Sequence, residues 1–289
     1  MTFLIFGKNG QLGSCLVDLL DRKKIKYIAL SKKEADITDK NKVEYIIGKY
    51  KPTTVINAAA YTQVRESESN PNIAFEINQN GIKNIAIACN KIDCNLIHVS
   101  TDYVFDGKSS IPYTPEMNTN PLNIYGKSKL QGEIEIKLNN SKFIILRTSW
   151  VFSEYGKNFV KTMIKTAKEK NTINVVSDQI GTPSYAGDIA EAILNLNTKF
   201  DGSRIKEIYH YAGSPICSWH DFAETVFKIL FSEGLINEVP KLTPISSSSY
   251  NDGLERPIFS ALSSEKYFKE FKILESDWRK SLKKITAKL

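Results

Sequence analysis

The chain has 289 residues, of which 42% are hydrophobic and 25% are charged. These proportions are ordinary for a globular protein, and the length is sufficient to bury a core that needs no disulfide or metal to hold it together. Lysine and arginine exceed aspartate and glutamate by 39 to 32, in short scattered groups and not in a basic stripe interleaved with aromatic residues. The surplus indicates a lysine-rich surface that can meet the phosphates of a small ligand, and it argues against nucleic-acid binding.

The cysteines and histidines indicate no metal or disulfide framework. The four cysteines form no Cys-x-x-Cys pair, and the three histidines lack a recognisable metal-binding spacing. No apolar run approaches the length of a membrane span, and no basic and apolar segments mark a signal peptide. We therefore expect no metal site, no membrane partner and a reducing, cytoplasmic environment.

A glycine-rich turn links the first predicted strand, residues 2–6, to a helix. The turn reads Gly7-Lys8-Asn9-Gly10-Gln11-Leu12-Gly13, and leucines at helical spacing follow it. Glycines let the backbone approach a pyrophosphate, while a helix N-terminus offers unpaired N–H groups and the positive end of its dipole. Strand, glycine turn and helix in this order predict a dinucleotide site.

The residues after the second predicted strand, Tyr27–Leu30, bear on the choice of cofactor. A carboxylate at this position normally holds the ribose 2′-OH of NAD, whereas this chain continues with Ser31, Lys32 and Lys33. A hydroxyl and ammonium groups suit a 2′-phosphate and favour NADPH, and the nearby Glu34 leaves NADH open. The alternative is an exposed charged turn with no role in binding.

Strands and helices alternate through the first half of the chain. Strands are predicted at Thr54–Asn57, Asn95–Val99 and Phe143–Leu146, and helices over 40–51, from Asn72 and from Tyr125. Alanines 58–60 after the third strand leave a low wall against which a flat cofactor ring can lie, although a tightly packed turn explains them equally well. Five strands with helices between them are typical of a Rossmann-like, doubly wound parallel sheet, an α/β fold.

Beyond residue 147 the alternation loosens. Helices are predicted over 159–170, 186–196, from Ser218 and over 277–288, with a polar break at 246–249. We predict an NADP-binding domain over residues 1–150, with its sheet extended by strands near 173–176 and 208–211. Residues 151–289 are then mainly a smaller C-terminal substrate-binding lobe, because clefts between lobes hold substrates.

The catalytic candidates are Thr101, at the end of the fourth strand, and Tyr125 and Lys129 in the next helix. Residues four apart in a helix share a face, so Tyr125 and Lys129 can point into one site. A tyrosine hydroxyl titrates near pH 10, and an ammonium group beside it stabilises the phenolate and lowers that pKa. With Thr101 on the same substrate oxygen and a nicotinamide opposite, these residues predict a carbonyl reductase.

Seven sequence blocks, in one order along nearly the whole chain, resemble the dTDP-4-dehydrorhamnose reductases of the extended short-chain dehydrogenase/reductase superfamily. The blocks are 7–13, 56–62, 99–107, 121–129, 147–152, 178–183 and 256–262. The resemblance implies NADPH-dependent reduction of the C4 keto group of dTDP-4-dehydro-6-deoxy-L-mannose to dTDP-L-rhamnose. Tyr125 would protonate the C4 oxygen, and Lys129 would lower the pKa of Tyr125 and bond the nicotinamide ribose.

The glycine turn, the second strand and the resemblance together define the expected binding residues. The expected cofactor-binding set is Gly7, Asn9, Gly10, Gln11, Leu12, Ser31, Lys32, Asp36, Ile37, Ala59, Ala60, Thr62, Tyr125 and Lys129. The expected substrate-binding set is Asp102, Tyr103, Val104, Trp150 and Arg256. Trp150 as a core aromatic residue, Arg256 as a surface ion pair and Asp102 as a loop brace are the alternatives.

The chain also departs from the family pattern. Arg65 replaces an acid common in the family, and Gly187 stands where some members carry a glutamate tied to a magnesium-linked dimer, so both a monomer and a homodimer stay open. The alternative functions are a reductase of a related NDP-4-keto-6-deoxysugar and a non-catalytic, NADP-binding regulatory subunit. An epimerase or dehydratase is disfavoured because no second acid follows Asp102.

Overall fold

A parallel sheet of six strands forms the centre of the computed structural model, which describes residues 2–200 and 204–289. Residues 1 and 201–203, which belong to the predicted domain ranges, lie outside the described residues. The strands are β1 Phe3–Phe6, β2 Tyr27–Leu30, β3 Thr54–Asn57, β4 Asn95–Thr101, β5 Phe143–Thr148, β6 Val151–Phe152, β7 Thr172–Val176, β8 Ile180–Gly181, β9 Ser184–Tyr185, β10 Lys206–His210, β11 Cys217–Ser218 and β12 Lys241–Ile245.

Helices connect these strands. They are α1 Gln11–Arg22, α2 Lys40–Tyr50, α3 Val64–Ser69, α4 Pro71–Phe75, α5 Gly81–Lys91, α6 Ile124–Asn139, α7 Phe159–Glu169, α8 Ala186–Asn197, α9 Trp219–Ser232, α10 Ser247–Tyr250, α11 Glu265–Phe271 and α12 Trp278–Ile285. The predicted helix from Asn72 is therefore α4 and α5, joined by a π-helical turn at Glu76–Asn80.

The sheet has the order β10-β5-β4-β3-β1-β2, and its neighbouring strands run parallel. Its strands β1, β3 and β5 are buried along their whole length because helices cover both faces. Side chains of α1 and α8 pack on one face, including Leu16 and Ile189. Val43 of α2 and Ile85 of α5 pack on the other face. This arrangement confirms the Rossmann-like α/β fold expected from the alternation of elements.

One of the two strands expected to extend the sheet does so. β10 pairs with β5 at the sheet edge, whereas β7 pairs with β12 in a separate two-stranded sheet. The expectation for residues 173–176 is therefore wrong. Thr172 and Asn174 of β7 are exposed, and a strand with one solvated face suits a surface ribbon better than a sheet covered on both sides. The predicted polar break at 246–249 is also partly helical, because the Ser246 hydroxyl caps α10.

The C-terminal lobe is built around an aromatic core. Phe152, Phe222 and Trp278 are buried between α7, α9, α12 and β7. The predicted domain border at residue 150 stays a prediction. α8 and β10 follow that border in the chain, yet α8 packs on the central sheet and β10 is one of its strands.

A buried ion pair fixes the central helix, α6, to the sheet. Glu133 on α6 accepts hydrogen bonds from Arg147 Nε at 2.9 Å and Arg147 Nη2 at 2.7 Å, and both side chains are almost wholly inaccessible to solvent. The Ser100 hydroxyl donates to the same carboxylate at 2.6 Å, and His210 Nε2 lies 3.5 Å from Arg147 Nη1. These contacts join α6 to β4, β5 and β10.

Replacing Arg147 with methionine should lower the free energy of unfolding by about 3–5 kcal/mol, because the Glu133 carboxylate stays buried without its counter-charge. The double variant Glu133→Gln/Arg147→Met should lose less, since no uncompensated charge remains. Urea unfolding followed by circular dichroism measures both losses. Lys228→Met, which breaks an exposed pair with Glu224, is the control and should cost under about 1 kcal/mol. Equal losses for the Arg147→Met and Lys228→Met variants would contradict the prediction.

Candidate active site

A cleft of about 340 Å³ opens where β1, β2 and β3 end. Its lining holds most of the residues predicted to bind the cofactor. The lining residues are Gly7, Asn9, Gly10, Ser31, Lys32, Ala35, Asp36, Ile37, Ala58, Ala59, Ala60 and Ile77. The carboxyl ends of parallel strands are where open α/β sheets bind ligands, so this cleft is the candidate cofactor site.

The glycine turn has a backbone shape that only glycine permits at two positions. Gly7 has φ +88°, and a Cβ there would lie 2.6 Å from the Ala59 amide nitrogen. A Cβ on Gly13 would lie 2.1 Å from the Gly7 carbonyl oxygen. Gly10 is the N-cap residue of α1 and lines the cleft, and it offers no side chain to bond the first N–H groups of the helix. This geometry fits a pyrophosphate.

Glu34 occupies the hydrogen-bond donors at the end of β2. Its Oε2 accepts from the Ser31 amide at 2.8 Å and from the Ser31 hydroxyl at 2.6 Å, and Lys8 Nζ lies 2.8 Å from the same oxygen. Hydrogen bonds from Lys8 and then Ser31 lower the pKa of Glu34 to about 2, so the carboxylate is ionised at neutral pH. Amide, hydroxyl and ammonium donors on one anion form the set that a 2′-phosphate requires.

Asp36 and Ile37 line the same cleft. Burial acts to raise the pKa of Asp36, but hydrogen bonds from Thr38 and the charge of Lys32 outweigh it and hold the pKa below its usual value. Ile37 packs so closely on α5 that a Cβ on Gly81 would lie 2.7 Å from its Cγ1.

Five predicted cofactor residues are outside this lining. Tyr125 and Lys129 belong to α6 and are described below, and the other three lie elsewhere. The Gln11 side chain donates to the Val151 carbonyl at 3.4 Å and accepts from Ser153 at 3.0 Å, which joins α1 to the C-terminal lobe. Leu12 is buried in the core beneath the sheet, and Thr62 is exposed beyond the alanines.

The π-helical turn positions the alanine segment against α6. Asn78 accepts from the Tyr61 amide at 2.8 Å, donates to the Tyr61 carbonyl at 3.1 Å and donates to Ser128 Oγ at 3.0 Å. Ser128 in turn donates to the Tyr125 carbonyl at 2.8 Å. Single π-helical turns inside helices often mark functional sites, and this one connects the cofactor cleft to the catalytic helix.

Thr101 and Tyr125 meet where β4 ends and α6 begins. Both side chains are buried, and Asn123 caps α6 by accepting from the Gly126 amide at 2.9 Å. Burial raises the pKa of Tyr125 to about 12, while a hydrogen bond with Thr101 opposes the rise and the Asp102 charge adds to it. Tyr125 is therefore a neutral phenol at physiological pH, beside a second hydroxyl.

Lys129 is drawn back towards β4. Its Nζ donates to the Val99 carbonyl at 2.8 Å and lies 3.4 Å from His98 Nε2. Burial lowers the pKa of Lys129 to about 8, although the Glu133 carboxylate acts in the opposite direction. In this structure burial of the phenol raises the pKa of Tyr125, and Lys129 Nζ bonds β4. That Lys129 lowers the pKa of Tyr125 stays a prediction.

His98 carries its ring proton towards Lys129. The Asn57 amide is oriented by Ala59, since its Nδ2 donates to the Ala59 carbonyl at 3.2 Å and its Oδ1 accepts from the Ala59 amide at 3.3 Å. Nδ2 also lies 3.0 Å from His98 Nδ1, which must therefore accept. The proton on Nε2 then faces Lys129 Nζ and, like burial, opposes the positive charge there.

Asp102 is buried beside the two hydroxyls. Its Oδ1 accepts from Thr101 Oγ1 at 3.0 Å, and within the described ranges its Oδ2 has no hydrogen-bond partner. Burial raises the pKa of Asp102 to about 6, against hydrogen bonds that lower it. An incompletely satisfied buried carboxyl is costly, and its position next to Thr101 and Tyr125 favours a functional role.

The remaining predicted substrate residues surround this centre at different depths. The Tyr103 ring packs edge-on to Tyr125, with 5.5 Å between the ring centroids. Trp150 has φ +45° and stacks on Trp219 at a centroid distance of 3.5 Å. Val104 is fully buried in the core with Phe105, so its side chain supports the loop from below.

Arg256 also lies near this centre. Its guanidinium opposes the burial-driven rise in the pKa of Tyr103, and it bonds Asp252.

Sequence reasoning did not identify four residues that organise the site: Asn78, His98, Glu133 and Asp252. Glu133 lies one helical turn after Lys129, and that spacing was the available signal for it. Asn78, His98 and Asp252 had no comparable signal, because their partners are distant in the chain or set by a turn.

Two searches gave negative results for the described part of the chain. Within residues 2–200 and 204–289, no group of three or more His, Cys, Asp and Glu side chains is arranged to hold a metal ion. Over the same ranges, no helix has the length and apolar character needed to cross a membrane.

Comparisons with known proteins agree with this geometry. The family model for the RmlD substrate binding domain matches residues 1–289. A dTDP-4-dehydrorhamnose reductase from Aggregatibacter actinomycetemcomitans is 42% identical over 287 residues, which cover 98% of each chain.

Two solved structures extend the likeness to the fold. A dTDP-4-dehydrorhamnose reductase from Clostridium acetobutylicum has a TM-score of 0.91 and 35% identity, with 98% of each chain covered. A second, from Bacillus anthracis in complex with NADP, has a TM-score of 0.91 and 33% identity and covers 100% of this chain and 99% of its own. The family match spans the whole chain, and the chain belongs to the dTDP-4-dehydrorhamnose reductase family.

Proposed function

We propose that this chain is an oxidoreductase that uses NADPH to reduce the C4 keto group of dTDP-4-dehydro-6-deoxy-L-mannose, giving dTDP-L-rhamnose. The observation that carries the proposal is the meeting of the Thr101 and Tyr125 hydroxyls beside the glycine-turn cleft. Relatives named dTDP-4-dehydrorhamnose reductase support the substrate, and the NADP complex of the Bacillus anthracis relative supports the cofactor.

The cleft fits the parts of a nicotinamide dinucleotide. In this proposal the N-terminus of α1 would bind the pyrophosphate, and Ser31, Lys32 and Lys8 would bind the 2′-phosphate. Asp36–Ile37 and Ala59–Ala60 line its two ends. When bound, NADPH supplies the hydride that reaches C4.

The protein supplies the proton. Tyr125 holds its proton at neutral pH because burial raises its pKa, and a developing C4 alkoxide is a far stronger base than a phenolate. Thr101 donates a second hydrogen bond to the same oxygen and so stabilises the charge that develops there. Lys129 lies one helical turn after Tyr125. In this proposal it would bond the nicotinamide ribose and stabilise the phenolate that forms on Tyr125.

Four further residues complete the substrate site in this proposal. Asp102 and Tyr103 would bond the hydroxyls of the sugar, while Trp150 would cover its apolar face. Arg256 binds the diphosphate, as a guanidinium fork suits phosphate oxygens. We expect the reaction in the cytoplasm, without nucleic-acid or membrane partners, by a monomer or homodimer.

The direct test is NADPH oxidation with the 4-keto sugar nucleotide, followed by NMR of the product. Formation of dTDP-L-rhamnose would support the proposal, and another C4 stereochemistry would assign a related 4-keto-6-deoxysugar. Absence of turnover with every such substrate would overturn it.

Replacing Tyr125 with phenylalanine should lower kcat by about 10²- to 10⁴-fold, because the proton donor is lost while the ring still packs on Tyr103. Stopped-flow measurement of NADPH oxidation gives the rate, and fluorescence titration should show little change in the Kd of NADPH. Tyr27→Phe, which removes a hydroxyl bonded to Asp21 away from the cleft, is the matched control. Full activity in the Tyr125→Phe variant would remove this residue from the mechanism.

Replacing Glu34 with glutamine should lower the KM for NADPH by about 2- to 5-fold, because a carboxylate no longer competes with the 2′-phosphate for Ser31 and Lys8. The KM for NADH should stay the same or rise. Initial rates measured with each cofactor give the two KM values and their ratio. Glu44→Gln, which alters a carboxylate paired with Lys91, serves as control. A parallel rise in both KM values would show that Glu34 only holds the loop.

Asn in place of Asp102 should make the protein more stable at pH 8 by about 2–3 kcal/mol and leave its stability at pH 4 almost unchanged. The pKa of Asp102 is about 6 in the folded chain, above the usual 3.8, so folding favours the protonated acid. Its contribution to stability is complete below pH 4 and is lost as the pH rises through 6. Urea unfolding at both pH values tests this. Equal effects at pH 4 and pH 8 would contradict it.

A further inference from the structure

Arg256 is held by a carboxylate in the arrangement that it would use for a phosphate. Its Nη1 donates to Asp252 Oδ1 at 2.7 Å and its Nη2 donates to Asp252 Oδ2 at 2.6 Å. The two side chains are largely buried, with 20% and 13% of their surfaces exposed. A two-pronged bond of this kind matches a planar guanidinium to either a carboxylate or a phosphate.

A tight turn sets the position of Asp252. The flanking residues Asn251 and Gly253 have φ of +23° and +76°, and Asp252 Oδ1 also accepts from the Leu254 amide at 3.3 Å. The turn therefore presents the carboxylate to Arg256, and an asparagine at 252 would keep the bond to the Leu254 amide.

Arg65 belongs to the same corner of the molecule. Glu68, one turn after Arg65 on α3, accepts from the Ile124 amide at 2.7 Å. Asn123 donates to the Glu255 carbonyl at 2.9 Å. These two bonds bring α3 and the segment around Arg256 together at the start of α6. The charge of Arg65 is close enough to contribute to lowering the pKa of Asp252.

This corner adjoins the catalytic centre. Arg256 affects the pKa of Tyr103, and the Tyr103 ring packs edge-on to Tyr125 at 5.5 Å between centroids. A sugar whose C4 oxygen meets Tyr125 would therefore extend its diphosphate past Tyr103 towards Arg256.

We propose that Asp252 is an internal anion that competes with the diphosphate of the sugar nucleotide for the Arg256 fork, and that Arg65 joins Arg256 in binding that diphosphate. The proposal rests on the proposed function. A diphosphate balances two guanidinium charges, whereas Asp252 balances one of them. Binding requires Asp252 to release Arg256, and its return after the reaction speeds departure of the product.

The test measures binding of dTDP, which carries the diphosphate without the sugar, by calorimetry. Asp252→Asn should lower the Kd of dTDP by about 3- to 10-fold and lower the KM of the sugar nucleotide in the same direction. Asp277→Asn is a matched control, because Asp277 makes a similar two-pronged bond to Arg279 and asparagine preserves its helix cap. Weaker dTDP binding in Asp252→Asn would show that Asp252 only orients Arg256, and would overturn the proposal.

Arg65→Gln tests the second arginine. It should raise the Kd of dTDP by about 3- to 10-fold and make binding less sensitive to salt, while the Kd of NADPH stays constant. An unchanged Kd for dTDP would remove Arg65 from the subsite. Because dTDP binding needs no turnover, these results are separate from the proposed reaction: failure to reduce any 4-keto sugar would overturn the reaction alone.

Discussion

The buried pair between Glu133 and Arg147 is the contact on which the active site depends. It secures α6 to three neighbouring strands through Ser100, Arg147 and His210, all of them shielded from water. The cost of removing two charges from water is offset only by their close, two-pronged geometry and the additional hydrogen bonds. Since Lys129 lies one turn before Glu133 and Tyr125 two turns before it, the ion pair fixes where the catalytic side chains stand relative to Thr101.

Internal carboxylates occupy two places where the chain would bind phosphates. Glu34 receives the donors of Ser31 and Lys8 in the cofactor cleft, and Asp252 receives the fork of Arg256 at the substrate end. Clustered donors repel one another and gain from an anion between them, so a carboxylate stabilises the folded chain. The same carboxylate then competes with the ligand. In both proposals, the affinity for the phosphate-bearing ligand depends on how much more tightly the donors bind the phosphate than the internal carboxylate. The net charge of the site alone does not predict this difference.

Spacing along the chain predicted that Thr101, Tyr125 and Lys129 lie close together at one end of the sheet, but it did not show how burial acts on their proton chemistry. Tyr125 and Lys129 share α6, as four-residue spacing implies, and Tyr125 meets Thr101 at the end of β4. Burial raises the pKa of Tyr125 in this structure, and burial depends on everything packed around the ring, which spacing along the chain does not show. His98 and Val99, which draw Lys129 towards β4, are thirty residues earlier in the chain.

The sequence by itself determined the order of strands and helices, the glycine turn and the residues that meet at the strand ends, because these follow from local periodicity and from the steric freedom of glycine. Tertiary structure alone decided that β7 pairs with β12 and not with the central sheet, that Asn78 connects the cleft to α6, and that Asp252 holds Arg256. Each of these depends on which surfaces are covered and which donors are left without partners. Such properties belong to the packed chain, in which residues far apart in sequence become neighbours.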